Sequence, residues 1–136
     1  FSHIGQSKNV ELISSNKDLK FFLHRAKVAI NTGVSSTLAW CLFSDTPLIF
    51  IDPKIEGYRL AKTKLELVRE SLFYFDAKSS DFHNHLRLFL SKDIKEIRQL
   101  WSFKSADRER FKQTHFGVSD TADIKQTIDW LKGSEL

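Results

Sequence analysis

Gly33, Val34, Ser35, Ser36 and Thr37 are the residues of this chain whose types and spacing most directly suggest chemistry. A glycine followed closely by three hydroxyl side chains permits close backbone approach and adds hydrogen-bond donors, which suits an anion such as phosphate. The stretch stands between a short apolar run, Val28-Ala29-Ile30, and an apolar segment from Leu38 to Phe43. After a break at Ser44-Asp45-Thr46-Pro47 the chain enters a second apolar run, Leu48-Ile49-Phe50-Ile51.

Short runs with β-branched residues, bounded by turn formers, read as buried strands, and the segment from Leu38 to Phe43 suits a buried helix. Strand, small-residue loop, helix, strand is a βαβ unit, whose two strands must be parallel because the connection is too long for a hairpin. The loop then lies at the strand ends where open α/β sheets bind ligands. There the first helical turn has unpaired N–H groups and a dipole that favours negative charge. Ser35 or Ser36 serves equally well as a plain helix N-cap, and the pattern is neither a P-loop nor GxGxxG. Thr32 and Asp52, at the ends of the two strands, are further candidates for ligand contact, and Asp52 before Pro53 also fits a turn.

Other chemistry is sparse. His83 and His85 are two apart on an expected helix and point in divergent directions, so they do not read as a metal pair. No pair of carboxylates has a setting that marks a general base, and no cofactor or metal is called for. Lys54 to Lys64 carries four basic residues, Lys54, Arg59, Lys62 and Lys64, and reads as a loop beyond a strand end that either closes over a phosphorylated ligand or is simply solvated.

The elements that position these residues follow in order. Asn9 to Ile13 alternates as a strand, and Asn16 can cap a helix running to about Arg25. Past the central unit, Leu65 to Glu70 suggests a helical turn and Ser71 to Asp76 a fourth strand. A helix starting at Ser79-Ser80-Asp81 has Phe82, Leu86, Phe89 and Leu90 as its core stripe. Asp93 with Glu96 makes a capping-box start for a long helix carrying Ile94, Ile97, Leu100 and Trp101 and reaching Phe111. Its later half, Lys104 to Lys112, mixes both charge signs and reads as a solvated face, not a nucleic-acid reader. A last helix begins at Ser119-Asp120 and ends at Gly133, with Trp130 placed to pack on a neighbouring domain. Strands alternating with helices at this spacing give an α/β, Rossmann-like three-layer domain: a mostly parallel sheet of about four strands, followed by C-terminal helices.

At 136 residues the chain suits one domain, residues 1–136, long enough to bury ~68% of its unfolded surface. A hydrophobic fraction of 41%, with 12 Phe and 3 Trp, supports a packed core. The single Cys41 excludes an internal disulfide and fits a reducing, cytoplasmic compartment. No run approaches ~18 apolar residues, so no transmembrane helix is expected. The net charge of +4 is compatible with phosphate-bearing ligands or with the anionic inner face of a cell membrane. The chain opens at Phe1 and holds no methionine, and a piece of a longer protein is the expectation.

The stretch AKVAINTGVSSTLAWCLFSDTPLIFID resembles the second half of the C-terminal domain of GT-B glycosyltransferases, in particular bacterial ones that build surface polysaccharides. The likeness is a strand, a G-x-S-S/T loop, an apolar helix, a short turn, Pro and an apolar strand; it continues in the basic loop, strand and terminal helices near SSDFHNHLRLFL. The resemblance implies an enzyme domain that binds a nucleotide-activated sugar, with a separate N-terminal domain for the glycan acceptor. By position Gly33, Val34, Ser35, Ser36 and Thr37 would take the donor's phosphate, whose charge grows as the nucleotide leaves. Many members carry Glu in the following helix to grip the ribose; alignment puts Trp40 there, so ribose recognition is expected elsewhere.

Two other readings use the same architecture. One is a nucleotide-sugar epimerase or polymer phosphotransferase. The other is a non-catalytic nucleotide-sensing or interaction module in which the serines only cap a helix.

Overall fold

The computed structural model describes residues 19–33, 36–55 and 62–116. Three parallel strands, β1 (Ala29–Thr32), β2 (Leu48–Asp52) and β3 (Phe73–Asp76), form a sheet in the order β1-β2-β3. The helix α2 (Ser36–Phe43) connects β1 to β2, and α3 (Lys62–Ser71) lies between β2 and β3. A short α1 (Lys20–Leu23) precedes the sheet, and α4 (Phe82–Leu90), α5 (Ile94–Phe103) and α6 (Ser105–Phe116) follow it. This is the expected α/β, Rossmann-like architecture, with three described strands. The expected strand at Asn9 to Ile13 and the expected last helix lie outside the described residues.

The register is continuous: Asn31 stands opposite Phe50, and Phe50 opposite Tyr74. Because successive strand side chains alternate between faces, Tyr74 and Asp76 share one face of β3 while Phe73 and Phe75 share the other. The Arg69 guanidinium of α3 lies 4.8 Å from the Tyr74 ring centre, whereas Phe89 of α4 packs 4.6 Å from Phe73 and 5.7 Å from Phe75. Hence α3 covers one face and α4 the other, and right-handed crossover chirality sets α2 on the α3 side.

The middle strand explains why LIFID is nearly all apolar. Leu48, Ile49 and Phe50 are each 0% exposed, and full burial contributes about 2 kcal/mol of transfer free energy per side chain. Around them pack Leu38, Cys41 and Leu42 of α2, Val68 of α3, and Ile97 and Trp101 of α5. β1, outermost among the described strands, is one-sided instead, with Ala29 and Asn31 buried and Ile30 51% exposed.

Several expectations change in detail. The helical turn at Leu65 is a ten-residue helix whose first residue is Lys62, so Lys62 and Lys64 belong to α3 and not to a basic loop. The long helix expected from Asp93 to Phe111 breaks at Lys104, whose Nζ donates to the carbonyls of Arg69 (3.0 Å) and Glu70 (2.8 Å). Lys104 thereby satisfies carbonyls at the end of α3 that no helical N–H can reach. The charged stretch after it is not wholly solvated: Phe111 is 1% and Arg108 6% exposed, with the Arg108 guanidinium 3.8 Å from the Trp101 ring centre and donating to the Trp101 carbonyl. The α4 stripe is half-buried at Phe82, Leu86 and Phe89, while Leu90 is exposed. Asp93 caps α5 by accepting from the Lys95 amide at 2.7 Å, but Glu96 pairs with Lys92 and does not close a capping box. Among the described residues no helix is long and apolar enough to cross a membrane.

Candidate functional site at the carboxyl rim of the sheet

The two strands that end in aspartate build the site. β2 closes as Phe50-Ile51-Asp52 and β3 as Tyr74-Phe75-Asp76, and the register pairs Phe50 with Tyr74 and Asp52 with Asp76. An aromatic ring and a carboxylate two residues later therefore recur on the same face of neighbouring strands. The rings of Phe50 and Tyr74 stack at 6.3 Å, which fixes the direction in which the Tyr74 hydroxyl points.

That hydroxyl donates to Asp52 Oδ2 at 2.8 Å. Just past β2, Lys54 turns its ammonium back on the same group, with Nζ 2.8 Å from Asp52 Oδ2 and donating to the Tyr74 Oη at 3.1 Å. Its backbone lies in the left-handed region at φ 54, which costs a residue with a Cβ ~1 kcal/mol. Asp52 Oδ1 offsets that cost by accepting from the Lys54 N–H at 3.0 Å, so one carboxylate holds both ends of the lysine. Asp76 Oδ2 is 3.7 Å from Lys54 Nζ, at ion-pair range but beyond a hydrogen bond. Its Oδ1 accepts from the Lys78 amide at 2.9 Å.

The charge states follow from these contacts. Burial alone would raise the Asp52 carboxyl, but the hydrogen bonds from Lys54 and Tyr74 outweigh it and hold the group below its ordinary value. Hydrogen bonds to Asp52 and then to Tyr74 lift the Lys54 ammonium above its ordinary value. Burial, followed by the pull of Lys54 and the opposing effect of Asp52, leaves the Tyr74 phenol raised. At neutral pH the cluster therefore contains an ionised Asp52, a protonated Lys54 and a neutral Tyr74. Such a carboxylate is a weak base, and its work is to position Lys54 and Tyr74.

The glycine bend is next to this cluster. Thr32 stands opposite Ile51, so one step further Gly33 lies beside Asp52. Gly33 is buried with φ 72, a conformation a Cβ disfavours, and Asn31 Nδ2 donates to its carbonyl at 3.3 Å. Its N–H donates to the Ile51 carbonyl at 3.2 Å and prolongs the sheet ladder. Glycine is thus needed at this position for its backbone shape, while its own amide is already engaged inside the protein. Val34 and Ser35 lie outside the described residues; Ser36 and Thr37 open α2. Thr32 ends β1 as an exposed residue, and Asp52, only 3% exposed, has both carboxylate oxygens engaged. Trp40 is half-buried against the core.

The sequence singles out Lys54 only as one of four basic residues beyond β2, and does not single out Tyr74, Asp76 or Arg69, which the structure brings to the same site. The signal was the repeated aromatic-x-Asp ending of β2 and β3, legible only once the two strands are known to pair in that register. A shallow apolar cleft of about 150 Å³ lies apart from this chemistry, between α1, the start of β1 and Cys41. Burial raises the Cys41 thiol, so it is a poor nucleophile there. Among the described residues no group of His, Cys, Asp or Glu is arranged to hold a metal ion. No family model, no curated protein and no solved structure matches this chain.

Proposed function

We propose that the carboxyl rim of this sheet holds a nucleotide-activated sugar, and that the chain is the donor-binding domain of a glycosyltransferase of surface polysaccharide synthesis. The observation that supports this reading most is the left-handed Gly33 just past β1, beside the Asp52 cluster, with α2 the next element in the chain. In a parallel β–α unit the first-turn N–H groups of the helix lie toward the carboxyl end of the preceding strand, where an anion is favoured. A donor phosphate seated there gains most when the sugar leaves, because the departing nucleotide carries the growing charge. On this reading Gly33 shapes the seat, and the sequence Val34-Ser35-Ser36-Thr37 is its source of backbone amides and hydroxyls. The glycan acceptor is presented by a separate domain, and the reaction takes place between the two.

Titration calorimetry with nucleoside mono- and diphosphates tests the reading, comparing the chain with its Ser35→Ala/Ser36→Ala form. The expected result is measurable affinity that the double substitution weakens by about tenfold, as the loss of hydrogen bonds to a charged group predicts. Absence of binding to every nucleotide, or equal binding by both forms, contradicts it.

A further inference from the structure

We propose that Lys54 and Asp76 form a binding pair for two adjacent hydroxyl groups of a sugar ring, at the ends of β2 and β3. The ammonium has three donors; two point at Asp52 Oδ2 and the Tyr74 hydroxyl, which leaves the third available. Asp76 Oδ1 is committed to the Lys78 amide, while its Oδ2 stands 3.7 Å from Lys54 Nζ and accepts no hydrogen bond from any described residue. A donor and an acceptor fixed side by side at that spacing match a vicinal diol, in which one hydroxyl accepts from Nζ and its neighbour donates to Oδ2.

The pair is built for this task and not merely for neutralisation. Asp52 alone already engages Lys54 through Nζ and through its backbone amide, so the lysine is held in place without Asp76. Its side chain is 26% exposed and that of Asp76 35%, against 5% for Asp52, so the outer two groups face solvent while the inner one anchors them. An ammonium whose rotamer is fixed from behind gives up little conformational entropy when a hydroxyl docks. Asp76 lies next to Asp52 in register, and Asp52 next to Gly33, so the diol site and the proposed phosphate seat share one rim. This inference deepens the donor-binding reading and rests on it for the identity of the ligand, which supplies a diol from either its ribose or its transferred sugar.

The test uses Asp76→Asn, which keeps an oxygen for the Lys78 amide and replaces the free acceptor by an N–H donor. Binding of ribonucleoside diphosphates, their 2′,3′-dideoxy counterparts and unphosphorylated methyl glycosides is measured for the chain and the variant, with circular dichroism to show that both are folded. If the diol is the ribose, Asp76→Asn weakens the ribonucleotide by about tenfold and leaves the dideoxy nucleotide unchanged. If it is the transferred sugar, the variant loses glycoside binding while the bare nucleotide is unaffected. Equal binding of every probe by both proteins overturns the inference yet leaves the phosphate seat standing. Diol-dependent glycoside binding with no nucleotide binding supports the pair and overturns the donor reading; no binding of any probe overturns both.

Discussion

Lys54 meets Asp52 at both of its ends: the ammonium lies 2.8 Å from Oδ2 and the backbone N–H donates to Oδ1 at 3.0 Å. One buried carboxylate thus sets both the left-handed backbone of the turn after β2 and the direction of its cation. Removing it should cost more than a surface ion pair would. Asp52→Ala leaves a half-buried ammonium and the Tyr74 hydroxyl without their acceptor, and a loss of about 2–3 kcal/mol is expected in urea unfolding. A loss below about 0.5 kcal/mol would show that the contact is superficial.

The acid limb of stability belongs in part to the same group. Its folded pKa is lowered from an ordinary 3.8, so the folded state binds this proton less readily than the unfolded chain. The contribution is complete above that ordinary value and disappears as the pH falls through the lower folded one. Asp52→Asn should therefore be less stable than the parent at neutral pH and show a shallower loss below about pH 4. Parallel acid-unfolding slopes would contradict this.

At the alkaline end, Tyr74 can be watched directly. The chain has two tyrosines, so Tyr58→Phe leaves Tyr74 as the only phenol. Its ionisation, followed by ultraviolet difference absorption, should have a midpoint above the ordinary 10.0. Stability attached to it and to Lys54 is present below their unfolded values and is lost as the pH rises through the raised folded ones. A midpoint at or below 10.0 would contradict the burial of the phenol and, after it, the contact with Asp52.

Gly33→Ala tests the bend itself. At φ 72 in a buried position, a Cβ should cost about 1–2 kcal/mol in thermal or urea unfolding, and an unchanged protein would show that the bend is not left-handed in solution.

The βαβ core was legible because its signals are local. Leu48 to Ile51 is apolar on both faces and ends at Asp52-Pro53, and the segment from Leu38 to Phe43 is apolar nearly all round, as a crossover helix packed on a sheet should be. The α6 surface misled for the opposite reason. Arg108 sits in a run of alternating charge yet folds inward onto Trp101, a contact that depends on how α5 and α6 meet. The break at Lys104 is also tertiary, since the carbonyls that hold its ammonium belong to α3, 34 and 35 residues away in sequence. The same holds for the site. Lys54 and Tyr74 are 20 residues apart and meet only because β2 and β3 are parallel and in one particular register.

We propose that the rim beside the glycine bend, the start of α2 and the Asp52 cluster receives a phosphorylated ligand. Amide chemical-shift mapping during titration with a nucleoside diphosphate tests it most directly. The amides of Ser35, Ser36, Thr37 and Lys54 should move together in a saturable way, while those of Ala26 and Cys41 at the apolar cleft stay still. Shifts confined to the cleft, or spread without saturation over the basic surface, would contradict it.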